Sequence, residues 1–381
     1  MYQRWSLSPL RRFTHVTETY MSGGRWQDIP YHRVPSKCMA MNSPHFNKHD
    51  PERFAEYLRR VARGEQTISG ATLLPHELLA ASARPLLDSE RAVVDAQWNS
   101  MVQSVRDAGV LDNCLAVCDV SGSMGFFHVH QREALDLVNS KGRIIKRNTR
   151  KSSDEEHVEP ILPALALTIV LAQTAREPWR NQFITFSQKP ELVRIDPAGG
   201  LVNMASKINA TSWAMNTNYT AVFLDLILPT ALAHKLPPSE MVKRLFVFSD
   251  MEWDSSRSPD SRTQPWATEH EIIKAAFEKA GYQLPEIVFW NLQGGRHGRV
   301  PRPVDKQEAG TALVTGFSPN TMKLFMEGQD LLPETEEAVS EEETVAAPQK
   351  DSPLEKRRRT PMEVMNAALE RPSFAGLCVV D

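Results

Sequence analysis

One carboxylate and two hydroxyls stand at alternate positions in the stretch CDVSGSM, as Asp119, Ser121 and Ser123. The apolar run before Asp119 predicts a buried strand, and open α/β folds bind their ligands at the carboxyl ends of such strands. Gly122 eases the turn between the two serines, so that the loop can direct three oxygens towards one point. Hard oxygen ligands of this kind suit Mg²⁺ or Mn²⁺ better than zinc. The stretch therefore predicts a divalent cation site.

The elements that must position this loop alternate between strand and helix patterns from about residue 111 to 318. Short runs rich in Val, Ile and Phe are typical of strands that are covered on both faces. Their alternation with helices indicates a parallel sheet with right-handed crossovers. We therefore predict an α/β fold with a doubly wound, mostly parallel sheet, preceded by a short helical segment. The predicted strands are Leu115–Val120, Phe183–Ser187, Leu245–Ser249 and Ile287–Leu292, and the predicted helices are Ile161–Ala175, Val222–His234 and Pro265–Ala280.

The first 110 residues indicate helices after an irregular start, Met1–Asn47. Asp50 suits the N-cap of a helix and Pro51 its first position. A second helix is predicted at Ser89–Ala108. Because two or three such helices cannot bury their apolar faces alone, we expect them to pack on the α/β domain or on a part of the protein outside this chain.

The sequence predicts four parts. Residues 332–349 contain six glutamates and no apolar period, which is typical of a disordered linker. A basic run, Lys141–Lys151, lies in the stretch after the serine loop and is interpreted as a solvated loop rather than a phosphate contact. The parts are a helical segment (1–110), an α/β domain (111–331 with 354–381), an insertion within it (125–157) and an acidic linker (332–353).

The composition restricts the class of protein. Lys and Arg number 44 against 47 Asp and Glu, a net charge of −3, which argues against a protein that coats nucleic acid but allows a local basic patch. The longest apolar stretch, Ala164–Ala172, is too short to span a bilayer, and no signal peptide is evident. Four scattered cysteines predict neither a disulfide framework nor a zinc site. We expect an intracellular, cytoplasmic protein without membrane contact. The basic run Lys356–Arg359 makes a nuclear location the alternative.

The pattern Asp-x-Ser-x-Ser after an apolar strand resembles the metal-ion-dependent adhesion site (MIDAS) of von Willebrand factor type A (vWA) domains. The resemblance implies a Thr on a second loop and an Asp after a later strand as further metal ligands. Thr217 in NTNYT and Asp250 after LFVFS match those positions. The residues before the second loop are not the glycines of many such domains, so Thr220 stays an alternative to Thr217. The implied ligands of Mg²⁺ or Mn²⁺ are Asp119, Ser121, Ser123, Thr217 and Asp250.

Longer stretches of the sequence point to a more specific family. LLPHELL, CDVSGSM, MNTNYTAVF, FVFSDMEWD and PMEVMNAAL resemble an uncharacterised family of fungal and plant proteins that carry a large domain of unknown function with a vWA-type second half. Its layout is similar to that of the Ro ribonucleoprotein (TROVE) family, which binds small RNAs. The resemblance runs from about Gly23 to the end of the chain. It implies that residues 1–110 correspond to the end of a larger helical region in relatives.

No pattern supplies a catalytic base or nucleophile. Ser121 occupies the place where a phosphotransferase of the haloacid dehalogenase type needs its second carboxylate. Neither serine matches the G-x-S-x-G elbow, and no P-loop pattern is found. We therefore expect a protein that is not an enzyme but a metal-dependent interaction module, whose ion binds an acidic residue of a protein partner. The alternative is an RNA-binding protein, as the Ro layout implies. The sequence indicates no oligomeric state.

Overall fold

A six-stranded sheet organises the α/β part of the protein, whose structure is a computed structural model. The strands are β1 (Cys114–Cys118), β2 (Gln182–Thr185), β3 (Leu192–Arg194), β4 (Arg244–Ser249), β5 (Glu286–Asn291) and β6 (Thr311–Thr315). Their order in the sheet is β3-β2-β1-β4-β5-β6. All neighbours pair in parallel except β3, which lies at one edge and runs antiparallel to β2. The predicted mixed α/β class and mostly parallel sheet are confirmed.

The structure describes residues 3–14, 16–70, 73–108, 111, 113–129, 159–211, 218–250, 266–292 and 311–315. All of these residues belong to one compact unit, Met1–Glu327. Within those ranges, no helix combines the length and the apolar composition that crossing a bilayer would require. The predicted linker at 332–353 and the predicted C-terminal part of the α/β domain lie outside the described residues.

The central strands are apolar on both sides because helices cover both faces of the sheet. Side chains alternate between the faces of a strand. On β1, Ala116 points to a cluster that also contains the helix Ile161–Thr174, whereas Leu115 and Val117 point to a cluster on the opposite face. Phe248 and Val247 on β4 follow the same alternation. Continuous apolar runs therefore form strands here, as expected for a parallel sheet buried on both faces.

Eleven helices accompany the sheet in the described residues. Between Tyr219 and Ala233 a helical path runs through a π-helical stretch, Val222–Ile227, that joins two short α-helices. The helices are α1 (Ser8–Phe13), α2 (Thr17–Ser22), α3 (Ser36–His49), α4 (Pro51–Ala62), α5 (Pro75–Ser82), α6 (Asp88–Ala108), α7 (Ile161–Thr174), α8 (Gly200–Asn209), α9 (Tyr219–Ala221), α10 (Leu228–Ala233) and α11 (Trp266–Lys279).

The helical segment shares its core with one face of the sheet. Helices α5 and α6 pack against α7, which itself lies on β1. Trp98 of α6 is buried, and its Nε1 donates a hydrogen bond to Oε1 of Gln173 on α7 (2.8 Å). Helices α3 and α4 form a separate apolar cluster around Phe46 and Phe54. The expected packing of the helical segment on the α/β part is therefore observed for α5 and α6.

Two local expectations for the helical segment are wrong. The start, expected to be irregular, contains several helices, including the 14-residue α3 with Pro44 inside it. Asp50 precedes α4, but its side chain makes no capping hydrogen bond. Its Oδ2 instead accepts hydrogen bonds from the hydroxyl of Tyr31 (3.0 Å) and from Nη1 of Arg53 (2.8 Å). These partners draw the carboxylate into the core, where it holds the loop before α3 against α4.

Candidate functional site

The carboxylate of Asp119 lies at the carboxyl end of β1. Its backbone N–H donates to the carbonyl of Phe248 (3.0 Å), which extends the pairing of β1 and β4 by one residue. The side chain is 2% exposed, and a buried carboxylate needs hydrogen-bond donors. Oδ1 accepts from the backbone N–H of Ser121 (2.8 Å), and Oδ2 accepts from the hydroxyl of Ser249 (2.7 Å). Both donors are neutral, so they orient the carboxylate without cancelling its charge.

The two predicted hydroxyls come together in a 3₁₀ turn, Gly122–Met124. The Oγ atoms of Ser121 and Ser123 lie 3.0 Å apart and share a hydrogen bond. Met124 is buried in the apolar cluster on one face of the sheet and anchors the turn. Ser123 is exposed and Ser121 is half-buried, so both hydroxyls can be reached from solvent.

Asp250 follows β4 directly and lies at the same edge of the sheet as Asp119. Its side chain is 3% exposed. Strands β1 and β4 are parallel neighbours with Cys118 opposite Phe248, so the residues that leave the two strands meet at one edge. Ser249, between Phe248 and Asp250 in the chain, is the donor to Asp119. Hydrogen bonding and strand register therefore bring Asp119, Ser121, Ser123 and Asp250 to one region.

The second loop reaches the same edge beside β2. Thr217 itself lies outside the described residues. The described chain resumes at Asn218, whose backbone N–H donates to the carbonyl of Ser187 (3.4 Å), two residues after β2. The Asn218 side chain accepts from the backbone N–H of Ala221 (3.0 Å) and caps α9. Thr220 lies half-buried in that helix.

Among the described residues of this second loop, Tyr219 lies close enough to Asp119 to interact with it electrostatically. Burial raises the pKa of its phenol far above the usual range, and the negative charge of Asp119 raises it further. Its ring packs edge-on against Phe289 of β5, with ring centres 5.8 Å apart. Burial also raises the pKa of the Cys118 thiol to about 12. The nearby Thr168 hydroxyl lowers this pKa, and the negative charge of Asp119 raises it. Both groups stay neutral near pH 7, so neither adds a charge beside Asp119.

The chain leaves the serine loop through a contact with Glu159. Gly125 has a φ of +93°, and a Cβ there would meet Oε2 of Glu159 at 2.6 Å. The backbone N–H of Phe126 donates to the same oxygen (3.0 Å). Phe126 is 67% exposed and stacks on His128, with ring centres 5.8 Å apart. These contacts tie the two ends of the predicted insertion together, whereas residues 130–158 lie outside the described residues.

Two neighbours of the loop residues lie outside the sequence motif. Ser249 and Tyr219 were not predicted as part of the site. Ser249 carries a recognisable signal, because it is a polar residue at the end of the apolar run LFVF and directly precedes Asp250. Tyr219 carries none, because its nearness to Asp119 depends on the path of the loop.

The site offers oxygen donors rather than a cluster of classical transition-metal ligands. Within the described part of the chain, no three His, Cys, Asp or Glu side chains form a group that could hold a metal ion. Two carboxylates and two hydroxyls remain, a set that suits hard cations which keep some of their waters.

A second polar surface lies on the helical segment and combines cations with aromatic rings. The guanidinium of Arg25 lies over the ring of Tyr20, 4.9 Å from its centre. Trp26 stacks on His49 with ring centres 4.3 Å apart and an angle of 9° between the planes. Partial desolvation lowers the pKa of His49, and the neighbouring Lys48 and His45 lower it further. His45, Lys48 and His49 are exposed.

A cavity of about 340 Å³ opens alongside α4. It is lined by Tyr31, Arg53 and Arg60, among others. Arg53 is bound to Asp50 and to the carbonyl of Ile29 (3.0 Å), and Arg60 pairs with Glu65 (3.3 Å). Since both guanidinium groups serve internal contacts, this cavity offers little charge to a ligand.

Two family models match different parts of the chain. The first, described as domain of unknown function DUF7788, matches residues 145–369. The second, described as domain of unknown function DUF2828, matches residues 1–111. The serine loop at residues 119–123 lies between the two matched stretches. Neither description assigns an activity.

A curated relative and a solved structure are similar to the chain. Uncharacterized protein L728 of Acanthamoeba polyphaga mimivirus is 26% identical over 344 residues, which are 87% of this chain and 52% of that protein. The chain thus spans about half the length of the curated relative that it matches. The crystal structure of the Ro (RSR) protein of Deinococcus radiodurans is similar with a TM-score of 0.42 and 18% identity, over 76% of this chain and 52% of that one. A similarity of this degree carries no conclusion about what the chain binds.

Proposed function

The chain belongs to the family described as domain of unknown function DUF7788, and since that description assigns no activity, we propose a function from the site. The protein is a non-catalytic, intracellular binding module that holds Mg²⁺ or Mn²⁺ at the carboxyl edge of its sheet. Through that ion it binds a carboxylate of a protein partner. The observation that carries the proposal is the pair of serine hydroxyls, 3.0 Å apart, beside the buried and hydrogen-bonded Asp119.

The residues present fit a hard divalent cation. The donors to Asp119 are a neutral backbone N–H and a neutral hydroxyl, and each carboxylate oxygen retains a lone pair for an ion. Ser121 and Ser123 contribute neutral oxygens that solvent can reach. An octahedral ion bound by few charged ligands stays attractive to a further anionic oxygen. A partner's Asp or Glu supplies that oxygen in this proposal.

The von Willebrand A-type interpretation belongs to the same proposal. Strands β2 and β4 flank β1 on opposite sides. The order in which successive strands are added to the sheet therefore reverses at β1. Open α/β sheets bind ligands in the crevice at such a switch point. The serine loop leaves β1 there, and Asp250 leaves β4 beside it. The strand order therefore supports the interpretation that the motif suggested.

Thermal unfolding with Mg²⁺, with Mn²⁺ and with EDTA tests the ion site. An ion that binds the native state alone raises the midpoint as its concentration passes the dissociation constant. We expect this rise in the wild type and its loss in Asp119→Ala and Asp250→Ala. Asp225→Ala removes an exposed carboxylate and serves as the charge-matched control, which should keep the rise. Equal midpoints with and without ions in the wild type would contradict the proposal.

RNA binding is the second candidate, and the cation–aromatic surface of the helical segment favours it. Residues 1–50 carry seven Lys or Arg against three Asp or Glu. Arg25 and Lys48 offer charge to phosphates, and the exposed His49, stacked on Trp26, offers a flat face to a base. Stacking and backbone charge are the usual means of binding single-stranded nucleic acid. The net charge of −3 for the whole chain limits such binding to a local patch.

Filter binding of a single-stranded RNA at low and high salt separates the two candidates. RNA bound through phosphates gives an affinity that falls steeply with salt and that EDTA does not change. Arg25→Ala and Lys48→Ala should then weaken binding, whereas Lys279→Ala at the end of α11 should not. Absence of binding at low salt would exclude this second candidate and leave the ion site untouched.

A further inference from the structure

We propose that Ser249 is a positioning residue that sets the geometry of the ion site by fixing the Asp119 carboxylate. The inference rests on the proposed function and adds to it a residue outside the predicted ligand set. Ser249 contacts Asp119 and does not itself have to touch the ion.

The hydroxyl of Ser249 fixes Asp119 from the side opposite the serine loop. Its Oγ donates to Oδ2 at 2.7 Å, whereas the backbone N–H of Ser121 donates to Oδ1 at 2.8 Å. A carboxylate with one donor on each oxygen cannot rotate about its Cβ–Cγ bond without breaking a hydrogen bond. The orientation of Asp119 therefore determines where Ser121 begins its turn, and with it where both hydroxyls lie.

Ser249 is a buried polar residue at the end of a buried apolar run. The preceding β4 residues Leu245 to Phe248 are buried and apolar, and Ser249 is itself 0% exposed. A buried hydroxyl costs free energy unless it is hydrogen-bonded, and its partner here is a charged group, which makes the bond stronger than a neutral one. Asp250 is the next residue in the chain. The same backbone thus carries one predicted ion ligand and the donor that orients another.

A different explanation is that the hydrogen bond only compensates for the burial of Asp119. In that case removal of the hydroxyl lowers the stability of the fold, but the affinity of the folded protein for an ion stays the same. A positioning role predicts instead that removal of the hydroxyl lowers the affinity of the folded protein for the ion. Partners behind metal ligands typically contribute about 10- to 100-fold to metal affinity.

The experiment titrates the full chain with Mn²⁺ alone and follows free Mn²⁺ by electron paramagnetic resonance, well below the unfolding temperature. Ser249→Ala should lower the affinity by about 10- to 100-fold. Ser249→Thr keeps the hydroxyl and should restore most of the affinity. Ser249→Cys keeps the shape with a weak donor and should bind with lower affinity than the wild type. Ser82→Ala is the control, since Ser82 is also buried but donates to the carbonyl of Leu79 (2.8 Å).

The outcomes separate this inference from the proposed function. A wild type that binds no Mn²⁺ overturns both. A wild type that binds, with Ser249→Ala or Ser249→Cys at wild-type affinity, overturns the positioning role alone. Circular dichroism of each variant without metal establishes that the folded protein is being titrated. If Ser249→Ala does not fold, the comparison of the Thr and Cys variants decides the question.

Discussion

The hydroxyl of Ser249 and the carboxylate of Asp119 are 130 residues apart in the sequence and 2.7 Å apart in the fold. Each residue ends the buried path of a strand, β4 for Ser249 and β1 for Asp119, and the register of the two strands places them side by side. The bond joins two loops that must act together if an ion is to bind between them. A shift in the register of either strand would therefore directly displace groups of the candidate site.

Removal of the Ser123 hydroxyl should separate ion binding from stability. Ser123 is exposed, so we expect Ser123→Ala to change the free energy of unfolding without metal by less than about 0.5 kcal/mol. The Mg²⁺-dependent rise of the unfolding midpoint should disappear. Differential scanning fluorimetry with Mg²⁺ and with EDTA measures both quantities. Ser22→Ala, at another exposed serine, is the control, and an unchanged rise in Ser123→Ala would remove this serine from the ion site.

Gly125→Ala should cost more stability than Gly64→Ala. Both glycines have positive φ angles, +93° and +76°. Gly125 also has a ψ of −167°, which places it in a region essentially restricted to glycine, where an L-residue costs about 1–3 kcal/mol. Only Gly125 of this pair also faces an obstacle, Oε2 of Glu159, whereas a Cβ at Gly64 meets open space. The clash should add about 1–3 kcal/mol, as overpacking does. Chemical denaturation measures both variants. Because Glu159→Ala also removes the hydrogen bond from the Phe126 N–H, it is measured as a separate background. Gly125→Ala should cost less stability in the Glu159→Ala background than in the wild type, and an equal cost in the two backgrounds would refute the clash.

The stability of the fold should fall on the acid side because of His76. Burial lowers the pKa of this histidine, an effect that the Glu77 carboxylate partly opposes. The unfolded chain then takes up the proton at a higher pH than the folded chain. Stability is therefore complete above the ordinary histidine pKa of about 6.5 and is lost as the pH falls from there towards the folded pKa.

His76→Gln should flatten this acid branch. The difference in slope between wild type and variant should be at most about 1.4 kcal/mol per pH unit, which corresponds to one proton. Urea unfolding at a series of pH values from about 7 to about 5 gives the two curves. Parallel curves would mean that His76 contributes nothing to the acid branch.

Trp98 should couple the unfolding of the helical segment to that of the sheet. Its ring is buried between α6 and α7, so Trp98→Ala should cost about 3–5 kcal/mol. Trp98→Phe keeps most of the packing but loses the hydrogen bond to Gln173, which is worth about 1 kcal/mol. When urea unfolding of the wild type is monitored both by circular dichroism and by fluorescence, the two signals should have one common midpoint. Leu232→Ala, at an exposed position, is the control for the loss of an apolar side chain. Two separate midpoints for the two signals would contradict the coupling.

The central strands could be predicted from sequence because both of their faces are buried. Strands β1, β4 and β5 are short, largely apolar runs, and their length and their content of Val, Ile and Phe favour strands over helices. The edge strand β3 was missed, since its three residues LVR are partly exposed and carry no pattern. Helix α3 was also missed, because Pro44 and a mixed polar composition hide its period, although Met39 and Phe46 are buried by neighbouring helices.

The candidate site likewise has a part that could be predicted from the sequence and a part that could not. Asp119, Ser121 and Ser123 form a local pattern on one loop, so the sequence alone predicts that they act together. The part played by Ser249 depends on the register between β1 and β4, and that of Tyr219 depends on how a loop crosses the edge of the sheet. Tertiary packing fixes both relationships, and no spacing in the sequence encodes them.

The shared core of α5, α6 and α7 bears on how this chain can evolve. One family model ends at residue 111 and the other begins at residue 145, yet the apolar cluster around Trp98 and Leu165 runs without interruption across that boundary. A fragment that began at residue 112 would expose the face of α7 that α5 and α6 cover. The two matched stretches are therefore poor units for exchange between proteins. Substitutions on either side of the boundary should be inherited together, as compensating changes in one core.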